Sequence, residues 1–336
     1  MPISFATEGS GVLDSIFGKS QEPIKLFIEK RGEAFEQASM IKELFAVNPS
    51  THWAEKFTSV IGMDGFKPVG ENGGYPNTGI QEGFSTTLEN VTWKNQFALS
   101  RELMEDAKLM DLRKQPELFT ASYYRTREKF GAALFGGAIE AQTAVTFEGR
   151  SFRTASADGV CLFSGVHPSK VDSSYTQSNQ FADDFSADAL AAAEAAMQDF
   201  RDDNGEVLDV TPTTILIPND YVLKKNVFAA IGADKSPDTA NNGANFLFGR
   251  WNVIVWPYLN QFITAGTHPW ILLDKQFNDS YGSSVWIDRV PLEVRSVIGD
   301  NDANIWKGYS RFSAGFNDWR GCCVGGISGA TQLIAS

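Results

Sequence analysis

The chain has 336 residues, enough for one large or two ordinary domains, and carries a formal net charge of −12 at pH 7 with 21% of its residues charged. That balance argues against a surface built to grip nucleic acid, because such binding rests on Lys and Arg displacing counterions from phosphates. No apolar run of 18 residues occurs, and the start MPISFATEGSG lacks the basic-then-apolar order of a signal peptide, so synthesis in the cytoplasm and no membrane span are expected.

The first element, GSGVLDSIFGKS from Gly9 to Ser20, ends in Gly-Lys-Ser and invites comparison with a phosphate-cradling loop. Such a loop needs a glycine five residues before the Gly-Lys pair, where this chain has Leu13; Gly11 is two residues too early. Only MPISFATE precedes it, too little for a βαβ unit. The stretch therefore reads as a flexible, glycine-broken arm. From Pro23 to Phe45 apolar residues including Ile24, Phe27, Ile28, Phe35, Ile41 and Leu44 follow the 3.6-residue stripe of an amphipathic helix. Proline suits its first position, and Gly32 interrupts it. VNPSTH then separates the segment from the rest of the chain, so the stripe can pack on its own domain or on a neighbouring subunit.

Phe66 to Phe84 is dense in Gly, Pro and Asn and reads as a loop or hairpin tip. Beyond it, Ile80 to Leu99 alternates as two consecutive strands with Val91, Trp93 and Phe97 pointing inward. A hairpin whose tip has so little to bury suits lying on a partner. Pro116 to Thr143 predicts one helix of 28 residues opened by proline, about 42 Å long at 1.5 Å per residue. Gly131, Gly136 and Gly137 each weaken it by roughly 1 kcal/mol relative to alanine, which close approach of another backbone would explain.

The next third has α/β character. Ser186 caps a helix that runs to near Asn204-Gly205, Thr213 to Pro218 is a short buried strand, NDYVLKKNVFAAIG is the helix after it, and Lys235 to Gly243 is an exposed loop. Strands come in close succession as WNVIVWP, PWILLD, SSVWID, LEVRSVI, NIWKGYSRFSAGF and RGCCVGG, so the class is α+β. The search for chemistry finds nothing specific. Cys161, Cys322 and Cys323 have no metal or disulfide spacing and read as small buried hydrophobes. His52, His167 and His268 form no HExxH pattern, and the latter two precede prolines as turn residues would. No catalytic residue, cofactor or metal is expected.

In this order the elements resemble the major capsid proteins of tailed bacteriophages with the Hong Kong 97-type fold. The residues that carry the resemblance are FALSRELMEDAKLMDLRKQPELFTASYYRTREKFGAALFGG (Phe97 to Gly137), TTILIPNDYVLKKN (Thr213 to Asn226), PLEVRSVIGDNDANIWKGYSRFSAGFNDWRGCCVGG (Pro291 to Gly326) and DGVCLFSGVHPS (Asp158 to Ser169). The resemblance implies an N-terminal arm over residues 1–50, an extended loop over 51–90, a peripheral domain with the long spine helix over 91–150, an axial domain over 151–283, returning peripheral strands over 284–320 and a C-terminal strand and tail over 321–336. It also implies a non-enzymatic protein that assembles with itself as hexamers and pentamers into an icosahedral head. Double-stranded DNA would be enclosed without sequence-specific binding, with portal, scaffolding and decoration proteins as further partners. The location implied is the virion, with assembly in the host cytoplasm. An arm starting almost at Met1 favours scaffolding as a separate protein.

Residues expected between subunits are Phe27, Ile28, Phe35 and Ile41 of the arm, the loop from Phe66 to Phe84 with Lys67 and Tyr75, and the spine-helix face around Tyr123 and Phe130, although the last two also suit an intrachain core. Some members of the family join a loop lysine to a peripheral asparagine, and Lys67 and Asn304 stand in matching regions. The alternatives are an encapsulin-type nanocompartment shell, whose cargo groove the sequence does not show, and a soluble α/β enzyme.

Overall fold

A computed structural model describes residues 4–5, 15–59, 61–62, 65–71, 73–75, 77, 82–106, 109–232 and 245–334, with backbone alone at 4–5, 15–23, 104–106 and 109–113. The exposed loop expected at Lys235 to Gly243 and the first six residues of GSGVLDSIFGKS lie outside the described residues.

The chain opens with β1 (Ser4–Phe5) and helix α1 (Ser15–Ala38), so Ser15 to Ser20 are helical rather than loop, and Pro23 lies inside the helix instead of opening it. The helix stops because Glu128 captures the two residues after it: its carboxylate accepts from the Ser39 hydroxyl at 2.7 Å and from the Met40 N–H at 3.0 Å. A separate short helix, α2 (Ile41–Leu44), and strand β2 (Ala46–Pro49) come next. The VNP that reads as a separator is thus part of a strand. Strands β3 (Ala54–Thr58) and β4 (Ser85–Glu89) pair as the base of a hairpin, and β5 (Val91–Leu99) begins at once.

After α3 (Arg101–Asp106) comes the long helix α4 (Leu109–Ile139), 31 residues and about 46 Å at 1.5 Å per residue. It starts seven residues before the expected Pro116 and ends before Thr143. The three glycines of its second half do mark close packing. A Cβ on Gly131 would lie 2.9 Å from Ile41 Cδ1, one on Gly136 would lie 2.4 Å from Phe262 Cβ, and one on Gly137 would lie 3.0 Å from Val145 Cβ. The hairpin β6 (Ala144–Phe147) and β7 (Arg150–Arg153) turns through Glu148 and Gly149, both at positive φ (48° and 77°), the conformation whose twist matches a two-residue turn.

The two-residue strands β8 (His167–Pro168) and β9 (Thr176–Gln177) lead to α5 (Ala187–Gln198), where the Ser186 hydroxyl accepts from Ala189 N–H as an N-cap. Then come β10 (Thr214–Pro218), α6 (Tyr221–Ile231) capped by Asp220, β11 (Asn252–Trp256), β12 (Trp270–Leu273) and α7 (Lys275–Tyr281). The expected strands SSVWID and LEVRSVI are one, β13 (Ser284–Ile298). Two register shifts against β14 (Asn304–Phe316) absorb the disturbance around Pro291. β15 (Cys322–Gly325) closes the chain's regular structure.

These elements make two main sheets. In the first, β5 pairs antiparallel with β14, β14 with β13, and the outer edge of β13 takes β1 and β2 in parallel at different heights. In the second the order is β11-β10-β12-β15, with only the β10–β11 pair parallel. The second half of α4 packs among both. Phe130 meets Phe152 at 4.7 Å and Trp286 at 5.7 Å between ring centroids, and Phe135 meets Phe316 at 5.2 Å. A second cluster joins Ile24 and Ile28 of α1 to Leu99, Phe119, Leu292, Val294 and Trp306. Beneath this layer Arg127 is held by Asp288 through two hydrogen bonds, at 2.8 and 2.9 Å.

The three cysteines are free and buried, and burial pushes the Cys322 and Cys323 thiols up. His167 does more than cap a turn. It is buried, with Nδ1 2.6 Å from Asp158 Oδ2 and its ring stacked on Trp319 at 4.4 Å. Burial would raise the Asp158 carboxyl, but His167, Ser156 and the Val160 N–H outweigh it and hold the group below the usual carboxylate range.

Candidate assembly surface

The β3–β4 hairpin ends its ladder at Thr58 opposite Ser85, with one further bond from Ser59 N–H to Phe84 carbonyl at 2.7 Å. Beyond that point the described residues from 65 to 71 and from 73 to 75 are all exposed. Phe66 and Tyr75 are fully exposed, Val69 is exposed, and a Cβ at Gly65, Gly70 or Gly74 would meet nothing within 4 Å. Exposed aromatic rings on an otherwise glycine-rich loop are poor for a free subunit and favourable for an interface, whose core is enriched in Tyr, Trp and Phe. Lys67 is exposed between them. Phe84 lies half-buried at the loop's base, with the Lys170 ammonium 5.7 Å from its ring centroid.

The arm residues divide. Ile28 and Ile41 are buried in this chain's own two cores, so neither offers a side chain to a neighbour. Phe27 is half-buried, and Phe35 stacks on Tyr124 at 5.6 Å under the Arg31 guanidinium at 4.7 Å. Of the two surfaces open to the stripe, its own domain and a neighbouring subunit, Ile24, Ile28 and Ile41 take the first. Tyr123 is also used at home: its hydroxyl lies 3.2 Å from Ser310 Oγ and accepts from Arg127 at 3.1 Å, while Phe130 is fully buried. Asn304 is fully buried at the start of β14, opposite Leu99 on one side and Ile298 on the other. The structure thus gathers Phe66, Lys67, Tyr75 and Phe84 into one projecting element and leaves the other predicted residues in separate, largely internal places.

A second exposed apolar group escaped the sequence. Tyr221, Val222 and Phe228 of α6 are exposed, as are Phe246 and Phe248 after it. The signal was available: Leu223, Val227 and Ile231 form the buried stripe of α6, and an amphipathic helix with a single packed face has no use for large apolar residues off that stripe. Trp53, exposed beside the hairpin base in the polar run STHWAEK, is a similar omission.

Among the described residues no group of three or more His, Cys, Asp or Glu is placed to hold a metal ion, and no helix is long and apolar enough to cross a membrane. In the open groove of about 400 Å³ between α4 and the first sheet, floored by Trp93, Phe119 and Phe312, the Ser122 and Thr126 hydroxyls donate to carbonyls of their own helix.

The sequence pattern of the family described as phage capsid protein matches residues 85–325. No curated protein matches the sequence. Among solved structures, the capsid of cyanophage P-SCSP1u is 10% identical with a TM-score of 0.50, over 84% of this chain and 85% of that one. The capsid of the native GTA particle is 12% identical with a TM-score of 0.50, over 85% and 88% of the two chains. At these identities the likeness concerns the fold, a mixed α+β subunit of the kind found in phage capsids. The family match spans well over half of the chain, and the protein belongs to the phage capsid family: it is a major capsid protein, a structural component of the virion shell and not an enzyme.

Proposed function

We propose that the chain assembles as hexamers and pentamers into a closed icosahedral head around packaged double-stranded DNA, with the Hong Kong 97-type subunit plan. In that plan residues 1–50 form the arm, 51–90 the extended loop, 91–150 and 284–320 the peripheral domain around the spine helix, 151–283 the axial domain and 321–336 the closing strand and tail. The observation that carries the proposal is that Phe66 and Tyr75 are fully exposed among the described residues of the hairpin loop. A loop on one side of a subunit that docks elsewhere on the next makes a head-to-tail contact, and such contacts form rings such as hexamers and pentamers where the rotation closes. Each subunit then gives one loop and receives another, so modest contacts add through effective concentration. Phe66, Lys67, Tyr75 and Phe84 are assigned to this contact, and the half-buried Phe27 and Phe35 of the arm to a separate one.

The acidic composition suits a container that must release its contents, since like charge keeps DNA from adhering to the wall. Portal, scaffolding and decoration proteins complete the particle, which assembles in the host cytoplasm. Electron microscopy and sedimentation of the protein, alone and with a scaffolding partner, test the proposal. Closed uniform shells or free hexamers and pentamers are expected; a homogeneous monomer or dimer under both conditions overturns it.

A further inference from the structure

Just past the last pair of the β3–β4 ladder, the loop is gripped on both of its strands by a distant part of the same chain. On the outgoing side the Gly62 N–H donates to Asp202 Oδ2 at 2.8 Å, and the Asn204 side chain donates to the Gly62 carbonyl at 2.7 Å. On the returning side the Lys170 ammonium donates to the carbonyls of Glu82 and Gly83, both at 2.7 Å. The grip is tight: a Cβ on Gly62 would lie 2.2 Å from Asp202 Oδ2.

The gripping side is held by hydrogen bonds and ion pairs that do not involve the loop. Asp202 is fully buried, and its other oxygen accepts from the N–H groups of Asn204 and Glu206, both at 2.9 Å, folding residues 202–206 into a turn with Gly205 at φ 88°. Next to it, Asp203 accepts from the Lys170 N–H at 3.1 Å and pairs with buried Arg320 at 3.2 Å, and Arg320 also pairs with Asp318 at 3.1 Å. Burial opposes the charge of Arg320, and Asp318 with Asp203 outweighs that and raises its basicity further. The turn and the lysine are therefore anchored to one buried ion cluster.

We propose that Lys170, Asp202 and Asn204 form a latch that fixes the direction in which the loop of residues 62–83 leaves the subunit, which makes them positioning residues for contact between neighbours. A single attachment would leave a pivot, whereas two attachments on opposite strands define a line. The loop can then be preorganised toward a neighbour although Phe66 and Tyr75 are fully exposed, which lowers the ordering cost of each contact. The inference rests on the reading that this loop reaches a neighbouring subunit.

The test uses the full chain carrying Lys170→Met with Asn204→Ala, both exposed positions that the core does not need. Amide hydrogen exchange at Gly62 and Ser59 should accelerate by about tenfold or more as local opening becomes easier, with the thermal unfolding midpoint of the free subunit unchanged. Shell yield should fall, and Lys170→Arg, which can still donate to both carbonyls, should restore it. Gly62→Ala should reproduce the defect from the loop side. Unchanged exchange at Gly62 and Ser59, or faster exchange with wild-type shells, overturns the latch. A Phe66→Ser, Tyr75→Ser variant separates the two ideas: if it still forms shells, the loop reading fails; if it does not while the latch variants do, only the latch fails.

Discussion

A methyl group at Gly136 would lie 2.4 Å from Phe262 Cβ and 2.8 Å from the Phe262 carbonyl oxygen, and backbone cannot step aside as a flexible side chain can. Overpacking of this kind costs about 1–3 kcal/mol, against roughly 1 kcal/mol gained from alanine's better helix propensity. Gly136→Ala is therefore expected to lower the urea midpoint of the free subunit, and an unchanged or higher midpoint would show that the 257–262 segment yields. Asn304 presents the opposite problem. Its side chain is fully buried, and neither Oδ1 nor Nδ2 has a hydrogen-bond partner. A buried polar group without a partner costs about 1–3 kcal/mol, so Asn304→Leu, close in shape, should raise the unfolding midpoint. The same burial bears on a covalent link to Lys67, in which the lysine Nζ would form an amide bond with Asn304 Cγ and release ammonia. An amine arriving from outside cannot reach a fully buried carboxamide, so particles boiled in denaturant should run as one monomer band. A ladder of linked subunits would instead show that assembly uncovers Asn304.

Among the elements, the arm changes most between sequence and structure. Its stripe is legible from Ile24 to Phe45, but periodicity shows that a face is buried and not which surface buries it. Phe45 packs on Phe135 at 5.3 Å and Trp286 at 5.6 Å, in the middle of the main core. Deleting Met1 to Phe45 should therefore abolish cooperative unfolding, and Phe45→Ala alone should cost about 3–5 kcal/mol. A folded, assembly-defective truncation, as a detachable arm would give, would show up as an unchanged melting transition. Prolines misled in the same way. Pro116 reads as a helix start because its missing N–H is harmless there, yet it is the eighth residue of α4. Pro49 and Pro291 read as breaks, yet one ends an edge strand and the other sits where register shifts already interrupt the ladder. The exposure of Phe66 and Tyr75 was legible because Gly, Pro and Asn around them rule out a core. The latch was not, because Lys170, Asp202 and Asn204 are ordinary polar residues more than a hundred positions from Gly62, and only the fold brings them there.

At the scale of the whole molecule, assembly must bring together many copies of a chain whose formal net charge is −12. The cost of that repulsion depends on ionic strength, because the screening length falls from about 30 Å at 0.01 M salt to about 8 Å at 0.15 M. The attraction assigned to Phe66 and Tyr75 is burial of apolar surface, which salt at these concentrations barely changes. Repulsion weakens while attraction holds, so the protein concentration at which shells first appear should fall as salt rises over that range, as light scattering can monitor at fixed pH. A threshold that rises with salt would mean that opposite charges across the interface, not the loop aromatics, dominate the contact. The same sign of charge predicts that shells and free subunits leave the mobility of double-stranded DNA unchanged in a gel at about 0.15 M salt, where a surface rich in Lys and Arg would retard it. Both expected outcomes stem from one property of the proposed head: subunits that attract each other through a few exposed rings would repel at long range both each other and the DNA within.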